Sequence, residues 1–332
     1  MPEPVRRKLL ACSCLLLALA FVLAGPALAG NGGVAPPDPA SPNAGRIRDV
    51  YLLVLGITAV IFVLVEAALI AFVIRFRGGG RAREVEGPQI IGHRNLELIW
   101  TAIPIVILAG IAGFVFYKLP GIQDPPEAHA AQGNLKITVE GHQFYWRFVY
   151  PNGAVSVNEL RAPVGRVVEL DVTAPAYDVI HSWWIPRLGG KIDAIPGKTN
   201  HTWFEAEQAG VYKGQCAEYC GVQHALMLGS VRAVPPSEFD RWVSAQAARP
   251  QGLGEQTFAA ACAPCHGEQG EGLIGPPLEG KPLDAEQITL IVRNGRGAMP
   301  AVGRNWNELQ LRALVAYVRS QITGPVGASS GG

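Results

Sequence analysis

Hydrophobic positions fall into three regimes along the chain. The first third holds long unbroken apolar runs, the middle holds short alternating ones, and the last quarter shows helical spacing. Arg6, Arg7 and Lys8 precede an apolar run from Leu9 to Leu23, and Ala27-Leu28-Ala29 follows. A basic start, an apolar middle and a small-x-small end describe a secretory signal peptide over residues 1–29, with an uncleaved anchor helix as the alternative. Residues 30–49 are rich in Gly, Pro and Asn and read as a flexible lead-in.

A transmembrane hairpin is expected over residues 46–118. Its first span, 50–74, carries one charge, Glu66. At 1.5 Å per residue this reaches about 37 Å, more than the roughly 30 Å of a hydrocarbon core. The second span, 98–117, has Trp100 and Tyr117 at its ends, where interfacial aromatics belong. Arg75, Arg77, Arg81, Arg83 and Arg94 lie between the spans, whereas Arg46, Arg48 and Lys118 flank them. The basic loop belongs in the cytoplasm, so everything after Lys118 is extracytoplasmic, as a signal peptide also requires. Glu66 at membrane depth points to packing against further helices, and hence to a larger partner.

From Leu135 the spacing changes. Ile137 and Val139 alternate, Tyr145 to Tyr150 is aromatic, and Val167 to Thr173 alternates again. His201 to Glu207, Val211 to Gln215 and Met227 to Val234 continue the series. Short runs between Pro/Gly turns describe an all-β sandwich or barrel over residues 135–234. Pro235-Pro236 and the stretch to residue 250 read as a second linker. An all-α unit over residues 251–322 follows, with Leu311, Leu314, Val315 and Val318 on one face of its last helix. The fold class is therefore multidomain.

Composition narrows the function. Of 332 residues, 49% are hydrophobic and 17% charged, and the net charge is +1. No basic face of the kind that binds nucleic acid emerges. The six Cys are too few for a disulfide scaffold and are spaced like ligands.

Two Cys lie in the run Gly214-Gln-Cys-Ala-Glu-Tyr-Cys-Gly-Val-Gln-His-Ala-Leu-Met227. Cys216, Cys220, His224 and Met227, with His181 upstream, are soft to borderline donors that suit copper. A mononuclear blue-copper site uses one Cys, so this loop has one too many. Two thiolates could instead bridge two copper ions, with Met227 and a Glu218 backbone oxygen as weak axial donors. A disulfide, structural zinc or ordinary core residues are the competing readings.

Nearer the C-terminus, Cys262-Ala-Pro-Cys265-His266 is the c-type haem attachment pattern. Gly275-Pro-Pro277 is spaced to bring a backbone carbonyl to Nδ1 of His266. Met299 supplies a sixth ligand, and His/Met ligation raises the reduction potential.

The stretch from His181 to Gly197, the Cys216–Met227 loop, Gly141-His-Gln-Phe-Tyr-Trp146 and Leu96-Glu-Leu-Ile-Trp-Thr101 closely resemble subunit II of haem–copper cytochrome c oxidases. The resemblance covers about residues 46–236 and implies a cupredoxin domain with a binuclear CuA centre. It also implies a magnesium ion on the Glu218 side chain at the subunit I interface, and a place for Glu97 at the mouth of a proton path. Phe144, Tyr145 and Trp146 would lie on the electron path. The family usually has Trp where this chain has Phe144, which argues against direct docking of a soluble donor there. Residues 251–322 resemble class I cytochrome c.

Taken together, the two resemblances imply a caa-type oxidase subunit II in a bacterial plasma membrane. Haem c would receive electrons from a soluble or membrane-bound donor and pass them through CuA to subunit I, where oxygen is reduced with proton translocation. Subunit III is a further expected partner. An extracytoplasmic copper-binding or assembly protein and the CuA subunit of a nitric oxide reductase are the alternatives.

Overall fold

The computed structural model describes residues 35–76, 89, 91–126, 133–248, 252–281 and 283–323. The expected signal peptide and most of the loop between the spans lie outside the described residues.

The two apolar runs form helices α1 (Pro42–Phe76) and α2 (Arg94–Lys118), each long and apolar enough to cross a membrane. At 1.5 Å per residue the 35-residue α1 is about 52 Å long. Leu64, Phe72, Val106 and Phe116 are exposed along these helices, as lipid-facing side chains are. Lys118 Nζ pairs with Asp49 Oδ2 at 2.6 Å. At the start of α2, the His93 ring accepts the Leu96 N–H and Glu97 Oε1 accepts the His93 N–H, both at 3.2 Å. These reciprocal bonds satisfy amides that the first turn leaves unpaired. A short helix α3 (Pro120–Gln123) follows.

The all-β region is a two-sheet sandwich. One sheet has the order β3 (Val155–Val157), β2 (Tyr145–Val149), β1 (Leu135–His142), β5 (Val167–Thr173) and β8 (Asn200–Glu205). The other has β4 (Glu159–Pro163), β10 (Leu228–Val234), β9 (Gly210–Cys216), β6 (His181–Trp184) and β7 (Ile192–Ala194). The alternation read from the sequence is what the sheets bury. Ile137, Val139, Val168, Leu170 and Val172 face the core, each worth roughly 1.5–3 kcal/mol. This is the cupredoxin-type sandwich that the resemblance implies.

The lead-in is more ordered than expected. Ala40 N–H donates to Arg187 O, Asn43 donates to Trp203 O, and Ser41 Oγ accepts the Glu205 N–H. Residues Pro39–Ala44 thus belong to the sandwich.

The expected linker after Pro235 is largely a helix, α4 (Pro236–Ala248). Phe239, Trp242, Val243 and Gln246 recur at helical spacing, and this stripe packs on the sandwich. Trp242 meets Tyr150 edge to face at 5.2 Å. Its Pro-Pro start misled because Pro is well placed in a helix's first turn.

The last unit has α5 (Leu253–Thr257), a π turn (Phe258–Cys262), α6 (Ala263–His266), α7 (Ala285–Asn294) and α8 (Glu308–Tyr317). The first and last helices cross at Gly254, where a Cβ would stand 2.2 Å from Ala313 O. Leu311, Leu314, Val315 and Val318 are all buried, as their spacing predicts. This helical unit shares one apolar cluster with Tyr145, Val155 and Val157 of the sandwich. A freely swinging tether is therefore replaced by a packed contact.

Candidate metal and haem centres

The first candidate site lies at one end of the sandwich. Strand β9 delivers Cys216, and the loop to β10 carries Glu218, Cys220, His224 and Met227. A hydrogen bond from Cys216 N–H to Met227 O at 2.9 Å closes that loop. His181 opens β6, whose Trp183 is in register with Cys216. Neighbouring strands thus bring residues 35 positions apart into contact.

Ligand atoms of His181, Cys216 and Cys220 all lie within 4.8 Å of one another, and all three residues are buried. The two Sγ atoms are 3.9 Å apart, beyond the roughly 2.05 Å of a disulfide bond. His224 Nδ1 and Met227 Sδ lie 3.6 and 3.7 Å from Cys220 Sγ, and Glu218 O lies 3.2 Å from Cys216 Sγ. The structure therefore brings together all six residues singled out for copper.

The donors fit a metal. His181 Nε2 lies 3.1 Å from Asp178 Oδ1, while its Nδ1 is buried without a hydrogen-bond partner. An outer carboxylate that orients an imidazole is the usual support of a metal-bound His. Burial disfavours charge on the His181 ring, but Asp178 and Cys216 outweigh it and raise the pKa. Burial likewise pushes the Cys216 thiol up, yet His181 and backbone groups of Glu218 and Ser182 bring it down overall. Burial and the adjacent Cys216 raise Cys220. Metal binding would release the protons that the two thiols carry.

The Glu218 carboxylate faces Lys191 Nζ at 3.8 Å. Among the described residues, no cluster of three His, Cys, Asp or Glu ligands includes it. The residues expected on the electron path divide. Tyr145 and Trp146 are buried, and Trp146 meets His181 edge to face at 6.0 Å. Phe144 is half-buried beside the loop at Gly221. Glu97 is remote from the loop in sequence and caps α2.

The second candidate site is a cavity of about 590 Å³ lined by Cys262, Cys265, His266, Met299 and apolar side chains including Phe258 and Leu314. The His266 Nδ1 atom lies 2.8 Å from Pro276 O, the backbone acceptor that the Gly275-Pro-Pro277 spacing predicts. Neither cysteine is in a disulfide. Burial raises the Cys262 thiol to about 12. Two thiols, an oriented imidazole and a thioether around an apolar cavity fit a covalent haem with two axial ligands.

Some supporting residues were not recognised in the sequence. Asp178 holds His181, and Gln143 Nε2 donates to Cys220 O at 2.6 Å. Trp306 and Gln310 reach Tyr145 and Arg147 across the contact between sandwich and helical unit. Asp178 lies three residues before His181, the one local signal available.

Comparisons with known families cover the regions that hold both candidate sites. Residues 29–117 match the transmembrane domain of cytochrome c oxidase subunit II, and residues 155–234 match its periplasmic domain. Residues 250–318 match cytochrome c oxidase, cbb3-type, subunit III. Cytochrome c oxidase subunit 2 of Alkalihalophilus pseudofirmus is 32% identical over 322 residues, covering 88% of this chain and 92% of that protein. The probable cytochrome c oxidase subunit 2 of Rickettsia bellii is 34% identical over 253 residues, covering 70% and 90%. Cytochrome c oxidase subunit 2 of Synechocystis sp. is 33% identical over 256 residues, covering 64% and 76%. With nearly the whole chain aligned to a curated relative and both soluble parts matched, this protein belongs to the cytochrome c oxidase subunit 2 family and carries a fused cytochrome c domain.

Proposed function

We propose that this chain conducts single electrons from a covalently held haem c to a binuclear copper centre, and onward to subunit I for reduction of oxygen to water coupled to proton translocation. The observation that carries this reading is the joint occurrence of two complete donor sets, one around the Cys216–Cys220 pair and one around the His266–Met299 cavity. Cys262 and Cys265 would attach the haem, with His266 and Met299 as axial ligands. His181, Cys216, Cys220, His224, Met227 and the Glu218 carbonyl would hold two copper ions. When bound, these groups supply reversible one-electron chemistry at potentials tuned by their ligands.

The protein's own residues keep reorganisation small. Asp178 fixes the His181 ring, Gln143 anchors the Cys220 carbonyl, and Pro276 O fixes the His266 ring. His181, Cys216, Cys220 and Met227 at one centre, and Cys262 and His266 at the other, are buried, which limits water around those ligands. Held ligands change position little between oxidation states, so each transfer meets a low barrier.

Further assignments follow from the family. The Glu218 side chain would bind magnesium with donors from subunit I, and Glu97 would mark the mouth of a proton path. Subunit III would complete the complex in a bacterial plasma membrane, with a cytochrome c or another respiratory donor reducing the haem from outside. The test is the time course of copper reduction in Met299→Ala and His266→Ala variants of the assembled oxidase. The relay predicts that haem-dependent copper reduction is lost in both. Undiminished copper reduction from a soluble donor would remove the haem from the path.

A further inference from the structure

A third set of buried polar side chains lies outside both candidate centres, where the cytochrome unit meets the sandwich. Trp306 Nε1 donates to the Tyr145 hydroxyl at 3.0 Å, and each residue is 2% exposed. Alongside, Arg147 Nε donates to Gln310 Oε1 at 2.6 Å and Arg147 Nη1 reaches Glu140 Oε2 at 2.7 Å. Gln310 Nε2 lies 3.4 Å from Thr257 Oγ1. Paired polar groups in an apolar contact specify one arrangement, because any shift would strand a buried donor or acceptor.

Contacts continue from this pair in both directions. Trp306 packs against Gly303, which is pressed between its ring and Val292, a wall residue of the haem cavity. The Tyr145 ring stacks on His142, with centroids 4.8 Å apart and planes 3° from parallel. His142 Nδ1 lies 4.0 Å from Asp178 Oδ2, and Asp178 Oδ1 lies 3.1 Å from His181 Nε2.

We infer that the Trp306–Tyr145 hydrogen bond locks the cytochrome unit in its electron-delivering position, and that Trp306, Tyr145, His142 and Asp178 form the contact row between haem cavity and copper loop. The inference rests on the cofactor assignments proposed above. In the step concerned, one electron would pass from a haem held by Cys262, Cys265, His266 and Met299 to copper held at Cys216 and Cys220, iron being oxidised and copper reduced. No bond is made or broken, and Tyr145 keeps its proton. Trp306 and Tyr145 are positioning residues, since neither is among the proposed cofactor ligands.

The test uses the full chain in the assembled oxidase, with Trp306→Phe, Tyr145→Phe and the double variant. Iron and copper contents and spectra are compared with the parent first. A parent lacking either centre would sink the functional reading itself, not the lock alone. Two readouts follow: backbone amide exchange over residues 145–157 and 303–311, and the single-turnover rate of copper reduction by haem. The lock predicts faster exchange at both stretches in Trp306→Phe and a rate lowered about tenfold, the population shift from orphaning one buried partner. It also predicts partial recovery in the double variant, where no hydroxyl is left unpaired. Unchanged exchange would overturn the lock, and faster exchange with an unchanged rate would overturn its link to delivery. Should Trp306→Phe fail to assemble, Gln310→Met removes the neighbouring partner and is read in the same way.

Discussion

His266 Nδ1 lies 2.8 Å from the carbonyl oxygen of Pro276, and that contact decides which ring nitrogen faces the haem cavity. A carbonyl only accepts, so Nδ1 carries the proton and Nε2 keeps its lone pair for a metal. The neighbouring Gly275 makes room for this, since a Cβ there would stand 2.8 Å from His266 Cε1.

Gly275→Ala should therefore push the ring from its acceptor. Overpacking of this kind costs about 1–3 kcal/mol. Without its acceptor the imidazole donates less to ferric iron, so the expected outcome is a raised haem midpoint potential and weakened axial ligation, read by redox titration and absorption spectroscopy. An unchanged potential would mean that the ring does not depend on this clearance.

Helix α4 is held chiefly by Phe239, which is 2% exposed, and by Trp242 against Tyr150. Phe239→Ala should destabilise the extracytoplasmic part by about 3 kcal/mol, the low end for a buried Phe truncation. Protease sensitivity within residues 236–248 should rise with it. A variant as resistant as the parent would show that this segment behaves as a plain tether.

Asp178 supports His181 through a 3.1 Å contact. Asp178→Asn keeps the shape and loses the charge, so copper affinity should fall about 10–100-fold. Competition with a chelator of known affinity measures this directly. Equal affinity would assign Asp178 a purely structural role.

Glu159 makes a bidentate pair with Arg232, at 2.9 and 2.7 Å. Burial would raise the carboxyl pKa, but the Arg232 hydrogen bonds and charge, with Arg161, bring it below the usual 4.5. The pair's contribution is thus present above pH 4.5 and is lost as the pH falls through the depressed folded value. Because the pair is partly solvent-exposed, that contribution is at most about 1 kcal/mol. Glu159→Gln should lower stability at neutral pH and flatten the decline on the acid side, as followed by thermal melts across pH. A parallel shift at every pH would contradict the assignment.

How far the sequence was legible depended on how local each signal was. The apolar runs of α1 and α2, the alternation of β1 and β5, and the Cys-Ala-Pro-Cys-His motif are contiguous, so they were readable. The short strands β3, β4, β6 and β7 were not, because three to five residues carry too little period to register. Helix α4 was hidden by its Pro-Pro start and by the Ala/Gln composition of its later turns. The Trp306–Tyr145 and Arg147–Gln310 pairs join residues over 160 positions apart, and no pattern in one chain announces such a contact.

Two copper ions sharing the Cys216 and Cys220 sulfurs are the centre of the proposed electron path. Electron paramagnetic resonance of the copper-loaded, oxidised chain tests this most directly. The prediction is one unpaired electron with hyperfine coupling to two copper nuclei, abolished in Cys220→Ser. A signal coupled to a single copper in the parent would contradict it.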